Sequence, residues 1–377
     1  MQEYIKTKIE KLNFKQTTPI QEEVFRNFNK KLNLVCIAPT GTGKTHAYLL
    51  PILSQINWEL NIIQAIILAP TNELVLQIFE MIIQIENRKD KIKIFFGGMN
   101  RTKTYLKLKK KQPSIIITTL SKLFEYAHIL KKINIYKSSF LVLDEADMFF
   151  EKKSLSLIKI LLSKWKPKIL LSSATLDKKM EPFINKNFGK SLFINVNHKH
   201  KSNLNFHIFK SDKNNRLKDL INVIEKINPF LAFIFVSHKK DQSNVYDFLK
   251  KKKLNILNFS SNLSVKERKR KIIEIKKNRY QYIITSDLAS RGLDIKNISV
   301  IIHYDLPIKN LDFFKHRNGR AGRTGEKSDI ILFYNDEEKK YLIKIKKKNN
   351  INVSSIIPKI IKNKKNLIKK KYKKKFI

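Results

Sequence analysis

Short apolar runs recur along the whole chain and alternate with helical patterns. They are Leu34–Ile37, Ala65–Leu68, Ile92–Phe96, Ser114–Ile117, Phe140–Leu143 and Ile169–Leu171, followed by Phe230–Val236, Asn255–Phe259, Tyr280–Ile284, Val300–Ile302 and Asp329–Phe333. This alternation predicts an α/β fold with mostly parallel sheets and helices on both faces. A polar stretch at Asn197–Asn205 divides the series, and 377 residues are enough for two separate cores. The expected organisation is a first domain over 1–197, a linker over 198–204, a second domain over 205–345 and a partly disordered basic tail over 346–377. Two such domains would be a distant duplication.

The glycines mark where this scaffold meets a ligand. Average usage of ~7% would place about 26 in a chain of this length, but there are nine. Eight of them fall in four clusters: Gly41 and Gly43; Gly97 and Gly98; Gly292; and Gly319, Gly322 and Gly325. In a glycine-poor chain the survivors sit where positive φ or close approach of backbone to a ligand excludes other residues. Such positions are suited to phosphate and nucleic-acid backbone.

Charge points the same way. The formal net charge is +45, with 77 Lys and Arg against 32 Asp and Glu. That balance favours a polyanionic partner, although the Lys, Ile and Asn bias also looks like the codon usage of an A/T-rich genome. Some lysines then reflect drift on solvated faces. The single cysteine, Cys36, excludes an intramolecular disulfide and fits a reducing compartment. Without an apolar run long enough to cross a membrane or a signal peptide at the start, the chain is expected to be cytoplasmic with no membrane partner.

Three segments carry chemistry. The run Leu34–Ile37 leads into Ala38-Pro-Thr-Gly-Thr-Gly-Lys-Thr45 and then a helical pattern reaching Leu53. In a strand, loop and helix of this kind, Thr40, Gly41, Thr42 and Gly43 turn backbone N–H groups toward phosphate. Lys44 holds the β- and γ-phosphates, and Thr45 offers its hydroxyl to Mg²⁺. The run Phe140–Leu143 ends in Asp144-Glu145-Ala146-Asp147. A carboxylate at the carboxyl end of a parallel strand beside a phosphate loop is placed to hold the metal, so Asp144 is assigned that role through water and Glu145 that of general base. In the second half, His316-Arg-Asn-Gly-Arg-Ala-Gly-Arg323 keeps three arginines in a chain that otherwise prefers lysine. Arg320 and Arg323 read as arginine fingers, the alternative being a basic RNA-binding or solvated helix start.

Taken in order, these segments resemble the DEAD-box ATP-dependent RNA helicases, over about residues 4 to 335. The resemblance implies two tandem RecA-like domains, with ATP and Mg²⁺ as cofactors and RNA as partner. By the same match, Phe14 and Gln21 of Phe14…Thr18-Pro-Ile-Gln21 read adenine, with Tyr4 as the upstream aromatic. Pro70, Thr71, Gly97, Gly98 and Thr119 face the RNA backbone from the first domain. Asp147, Ser173, Thr175 and His316 couple hydrolysis to strand separation. In the second domain, after Phe235, the segment Ser286-Asp-Leu-Ala-Ser-Arg-Gly-Leu-Asp294 puts Ser286 and Gly292 at RNA and Asp294 at the nucleotide ribose. Hydrolysis then requires closure of the two domains, and contacts to sugar and phosphate give little base discrimination.

The departures from the family pattern lie on the RNA side. Asn72 stands where Arg is expected, Leu120, Ser121 and Lys122 where Pro, Gly and Arg are usual, and Ser260-Ser261 and Val265 replace His-Gly and Gln, while Arg268 is kept. The expectation is intact ATP chemistry with a loosened first-domain grip on RNA, offset by Lys103, Lys107, Lys109, Lys110 and Lys111. The implied function is RNA-stimulated ATP hydrolysis driving local duplex destabilisation by a monomer, on ribosomal RNA or mRNA. The alternatives are, from another class, an ATP-gated RNA clamp that nucleates an assembly without unwinding and, third, a DNA-translocating helicase.

Overall fold

Each predicted apolar run becomes a strand because its side chains can be covered on both sheet faces. Leu34 and Cys36 belong to one buried cluster and Val35 and Ile37 to the other, and the same split divides Ala65 and Ile67 from Ile66 and Leu68. This is the period-two alternation of a strand between two helical layers. The computed structural model describes residues 1–97, 112–176, 180–196, 204–260, 262–290, 295, 297–308, 311, 313–322, 327–349 and 351–356. Gly98, Lys103, Lys107, Lys109, Lys110, Lys111, Gly292, Asp294, Arg323 and most of the expected linker lie outside the described residues, as does 357–377.

The chain divides into two compact units, Met1–Lys201 and Ser202–Ile377. The first carries β1 (Asn33–Ile37), β2 (Ala65–Leu68), β3 (Ile92–Phe95), β4 (Ile115–Thr118), β5 (Phe140–Leu143), β6 (Lys168–Ser173) and β7 (Ser191–Asn195). The second carries β8 (Leu204–Lys210), β9 (Ala232–Phe235), β10 (Ile256–Phe259), β11 (Tyr282–Thr285), β12 (Val300–His303), β13 (Ser328–Tyr334) and β14 (Val353–Ile356). The sheet orders are β3-β4-β2-β5-β6-β1-β7 and β10-β11-β9-β12-β13-β8-β14. Adding seven to each number of the first order yields the second. Every pairing given by these orders is parallel. Repetition of one strand order is what a distant duplication leaves behind.

The structure adds three strands to the eleven read from the sequence. β7 and β14 are edge strands, and β8 is inserted between β13 and β14. The β8 sequence LNFHIFK is only partly buried, with alternating polar residues, so it lacks the continuous apolar signature of its neighbours. The basic tail also begins later than expected. A helix spans Lys339–Asn349 with Leu342 and Ile345 buried, and β14 pairs with β8. Helical structure therefore crosses the expected start of the tail at Lys346, and a strand follows at Val353–Ile356.

Candidate nucleotide site and RNA-facing loops

Strand order decides which loops meet. β5, β6 and β1 are adjacent, so the loop after β1, the acidic turn after β5 and Ser173 at the end of β6 share one carboxyl edge. Ala38 N–H donates to the Ser173 carbonyl at 3.2 Å, and Asp144 N–H to the Leu68 carbonyl at 2.9 Å. Open parallel sheets bind ligands at this edge.

The phosphate loop needs its glycines. Gly41 and Gly43 have φ of +81° and +83°, and Gly43 is the residue from which helix Lys44–Leu53 starts. A Cβ on Gly43 would meet Gln21 Nε2 at 2.5 Å, closer than atoms tolerate. Gln21 therefore packs against the loop because residue 43 has no side chain, and its amide donates to the Gly43 carbonyl at 3.2 Å. It also accepts from Thr18 N–H at 3.0 Å at the start of helix Pro19–Asn27. Thr42 Oγ1 donates to the Pro39 carbonyl at 2.7 Å, and Lys44 Nζ reaches the Ala38 and Pro39 carbonyls at 2.6 and 2.7 Å. The ammonium thus lies over the cradle that would receive phosphate. Phe14 meets His46 edge to face, ring centroids 4.9 Å apart, and burial lowers the His46 imidazole to about 4.

Asp144 is buried. Its Oδ2 accepts from the Tyr48 hydroxyl at 2.9 Å and its Oδ1 from Glu145 N–H at 3.0 Å. Burial, then the neighbouring Glu145 charge, raises its carboxyl above the ordinary carboxylate range. An unpaired buried carboxylate gains from a cation, and this one stands beside Thr45 and the phosphate loop; the donor set fits a magnesium nucleotide. Glu145 has φ of +47°, an uncommon conformation for a residue with a side chain. Asp147 is tied to β6: Ser173 Oγ lies between Asp147 Oδ1 at 2.9 Å and the Thr175 carbonyl at 2.7 Å. Three members of the expected coupling group, Asp147, Ser173 and Thr175, are therefore joined through the Ser173 hydroxyl.

The other loops of the first unit follow β2, β4 and β3 and form the second half of the same edge. Pro70 and Thr71 follow β2, Gly97 follows β3 and Thr119 follows β4. Thr71 Oγ1 accepts from Leu74 N–H at 3.3 Å as the cap of helix Asn72–Glu86. Asn72 Nδ2 donates to the Gly97 carbonyl at 3.5 Å. Leu120 is buried in the core, at the start of helix Leu120–Phe124. Tyr4 is a packing residue here: its hydroxyl donates to Glu86 Oε1, beside a Lys8–Glu86 ion pair of 2.8 Å.

In the second unit, Ser286 caps the turn at Asp287–Ser290, its Oγ accepting from Ala289 N–H at 3.4 Å. His316 and Arg320 are buried. The sequence assigned no role to Arg317, which proves to be the centre of this end of the sheet. It is 1% exposed and forms a bidentate pair with Asp287, Nε–Oδ1 2.6 Å and Nη2–Oδ2 2.8 Å. It also donates to the Asp305 carbonyl at 2.7 Å and to Ser237 Oγ at 2.9 Å. The loops after β9, β11 and β12 are thereby joined through one guanidinium, a task for a planar fork rather than an ammonium. A retained arginine in a lysine-rich chain was the available signal. Arg216, paired with Glu338 at 2.6 Å where both are buried, was missed for lack of any motif.

A parallel sheet with a glycine phosphate loop on one strand and an Asp-Glu pair two strands away defines a nucleotide-binding α/β protein of the P-loop class. The family model for the DEAD/DEAH box helicases matches residues 18–183, and that for the helicase conserved C-terminal domain matches residues 212–325. The DEAD-box ATP-dependent RNA helicase CshB of Staphylococcus aureus is 31% identical over 336 residues, covering 88% of this chain and 74% of that protein. CshB of Bacillus subtilis is 31% identical over 349 residues, covering 90% and 78%. Among solved structures, Mss116p bound to ssRNA and AMP-PNP is 26% identical, with a TM-score of 0.84 over 94% of this chain and 76% of that one. Dbp5 of S. cerevisiae, bound to RNA and ADP BeF3, shares the fold with a TM-score of 0.83 over 96% of each chain, at 24% identity. The chain belongs to the DEAD-box ATP-dependent RNA helicase family, an ATP-hydrolysing class.

Proposed function

We propose that this protein hydrolyses ATP at the β5-β6-β1 edge of its first domain and couples that reaction to local opening of RNA duplexes. The observation that carries the reading is the convergence of Lys44, Asp144, Glu145 and the Ser173–Asp147 hydrogen bond at the ends of three adjacent strands. Gly41, Gly43 and Lys44 bind the phosphates, Phe14 and Gln21 read the base, and Thr45 with Asp144 holds magnesium. The metal, when bound, neutralises charge on the phosphates. Glu145 takes the proton of the attacking water, and Arg320 and Arg323 stabilise the charge that develops on the transferred group. Asp294 is assigned to the ribose.

RNA is gripped through sugar and phosphate by Pro70, Thr71, Gly97, Gly98, Thr119, Ser286 and Gly292, so recognition is largely independent of sequence. Structured ribosomal RNA or mRNA in the cytoplasm is the proposed substrate, and the acting species is a monomer. Among the described residues no helix is long and apolar enough to cross a membrane. The relatives are named helicases, which favours duplex opening over clamping. The test is ATP hydrolysis with and without RNA for the wild type and Glu145→Gln. RNA should stimulate the wild type, and the variant should lose about 10²- to 10⁴-fold of its rate. Full activity in the variant would overturn the assignment of Glu145, and stimulation by DNA rather than RNA would overturn the substrate.

A further inference from the structure

Tyr48 occupies a place that no assignment above uses. It lies on helix Lys44–Leu53, one turn beyond Thr45, with its side chain buried. A buried phenol must find a hydrogen-bond partner or lose stability, and this one donates to Asp144 Oδ2 at 2.9 Å. The Thr45 side chain lies beside the same phenol. The opposite oxygen of Asp144 is held by Glu145 N–H at 3.0 Å. Oδ2 is thus met by a donor from the phosphate-binding helix and Oδ1 by one from the turn that follows β5, with the Ser172 hydroxyl of β6 beside the same carboxylate. Two donors on different elements stop the carboxylate from rotating about its own bond. They also couple its orientation to the position of the helix that carries Lys44 and Thr45.

We propose that Tyr48 is a positioning residue for magnesium, a phenol strut between Thr45 and Asp144 that fixes the Asp144 carboxylate in the orientation that receives the metal. The inference rests on the reading that Thr45 and Asp144 hold the magnesium of bound nucleotide. Its physical basis is that donors behind a metal-holding carboxylate preset its direction, and their loss typically costs 10- to 100-fold in metal affinity or activity. The ring fills space in the core whether or not it bears a hydroxyl, so only the hydroxyl is under test.

The experiment is a magnesium titration of fluorescent adenine nucleotide binding to the full chain, wild type against Tyr48→Phe, with a parallel measurement in excess chelator. The expected result is a rise of about tenfold in the half-saturating magnesium concentration, with nucleotide affinity in chelator and the thermal midpoint unchanged. An unchanged magnesium requirement in Tyr48→Phe, beside a wild type whose binding does depend on magnesium, would overturn the inference alone. Equal losses with and without magnesium would also overturn it, making Tyr48 a packing residue of the nucleotide pocket. A wild type indifferent to magnesium would overturn both the inference and the reading beneath it.

Discussion

The two domains share one strand order and use its carboxyl edge in opposite ways. In the first, β1 is followed by a glycine loop whose Lys44 is bonded to loop carbonyls. In the second, the matching strand β8 is followed by Ser211–Arg216, and Arg216 is paired with Glu338 at 2.6 Å. After β5 come Asp144 and Glu145, with a buried carboxylate whose protonation is favoured by burial. After the matching β12 comes Asp305, likewise raised by burial, but held by Ser237 and by Arg317. The first edge carries a glycine phosphate loop, whereas the second is cross-linked around the Arg317 guanidinium. Topology placed both edges, and loop chemistry sets apart the loop proposed for nucleotide in the first from the Arg317-centred frame that supports the neighbouring loops of the second.

The largest test of that contrast is Arg317→Ala. Removing one partner of a buried pair leaves Asp287 and Asp305 without their cation, which should lower stability by about 3–5 kcal/mol, read by denaturant unfolding. A loss below about 1 kcal/mol, the range of exposed pairs, would break the idea that this edge is a frame. A smaller effect is expected within the first domain, in the loops proposed to face RNA, where Asn72 donates to the Gly97 carbonyl. Asn72→Arg should tighten apparent RNA affinity in RNA-stimulated ATP hydrolysis by about tenfold, on the scale of one charge-assisted hydrogen bond. No gain would mean that the grip on RNA is not loosened at this position.

The smallest effect concerns His46, which packs on Phe14. Its folded value, about 4, lies below its ordinary 6.5, so the native state binds fewer protons than the unfolded state between these values. The stability contribution is complete above pH 6.5 and is lost as pH falls toward 4. His46→Gln should flatten the fall in thermal midpoint across that window and leave the midpoint at pH 8 nearly unchanged. An identical pH profile in the variant would show that His46 is not the group responsible.

Much of the fold was legible because parallel strands buried on both faces are mostly apolar, and eleven of the fourteen strands among the described residues read that way. The remaining three, β7, β8 and β14, lie at or next to a sheet edge, and β7 and β8 carry exposed polar residues. The loops of the candidate nucleotide site were equally legible, since Gly41, Gly43, Lys44, Asp144 and Glu145 are constrained by backbone geometry and charge that few residue types supply. Arg216 and Tyr48 gave no such signal, and Arg317 gave only its retention as arginine in a lysine-rich chain, which does not name its partners. A side chain that bonds a partner 30, 122 or 96 positions away has no local spacing to betray it.

The sequence by itself determined two α/β domains, a phosphate loop and an acidic turn after β5, because those features are written in local periodicity and in residues with unusual conformational or chemical freedom. Only the tertiary structure decided that the two domains repeat one strand order and that Asp144 is held by a phenol from the phosphate-binding helix. It likewise decided that Arg317 binds three loops together, and that a helix crosses the expected tail boundary ahead of β14. Those outcomes depend on which strands lie side by side, and adjacency is set by packing of the whole sheet rather than by any segment of the chain.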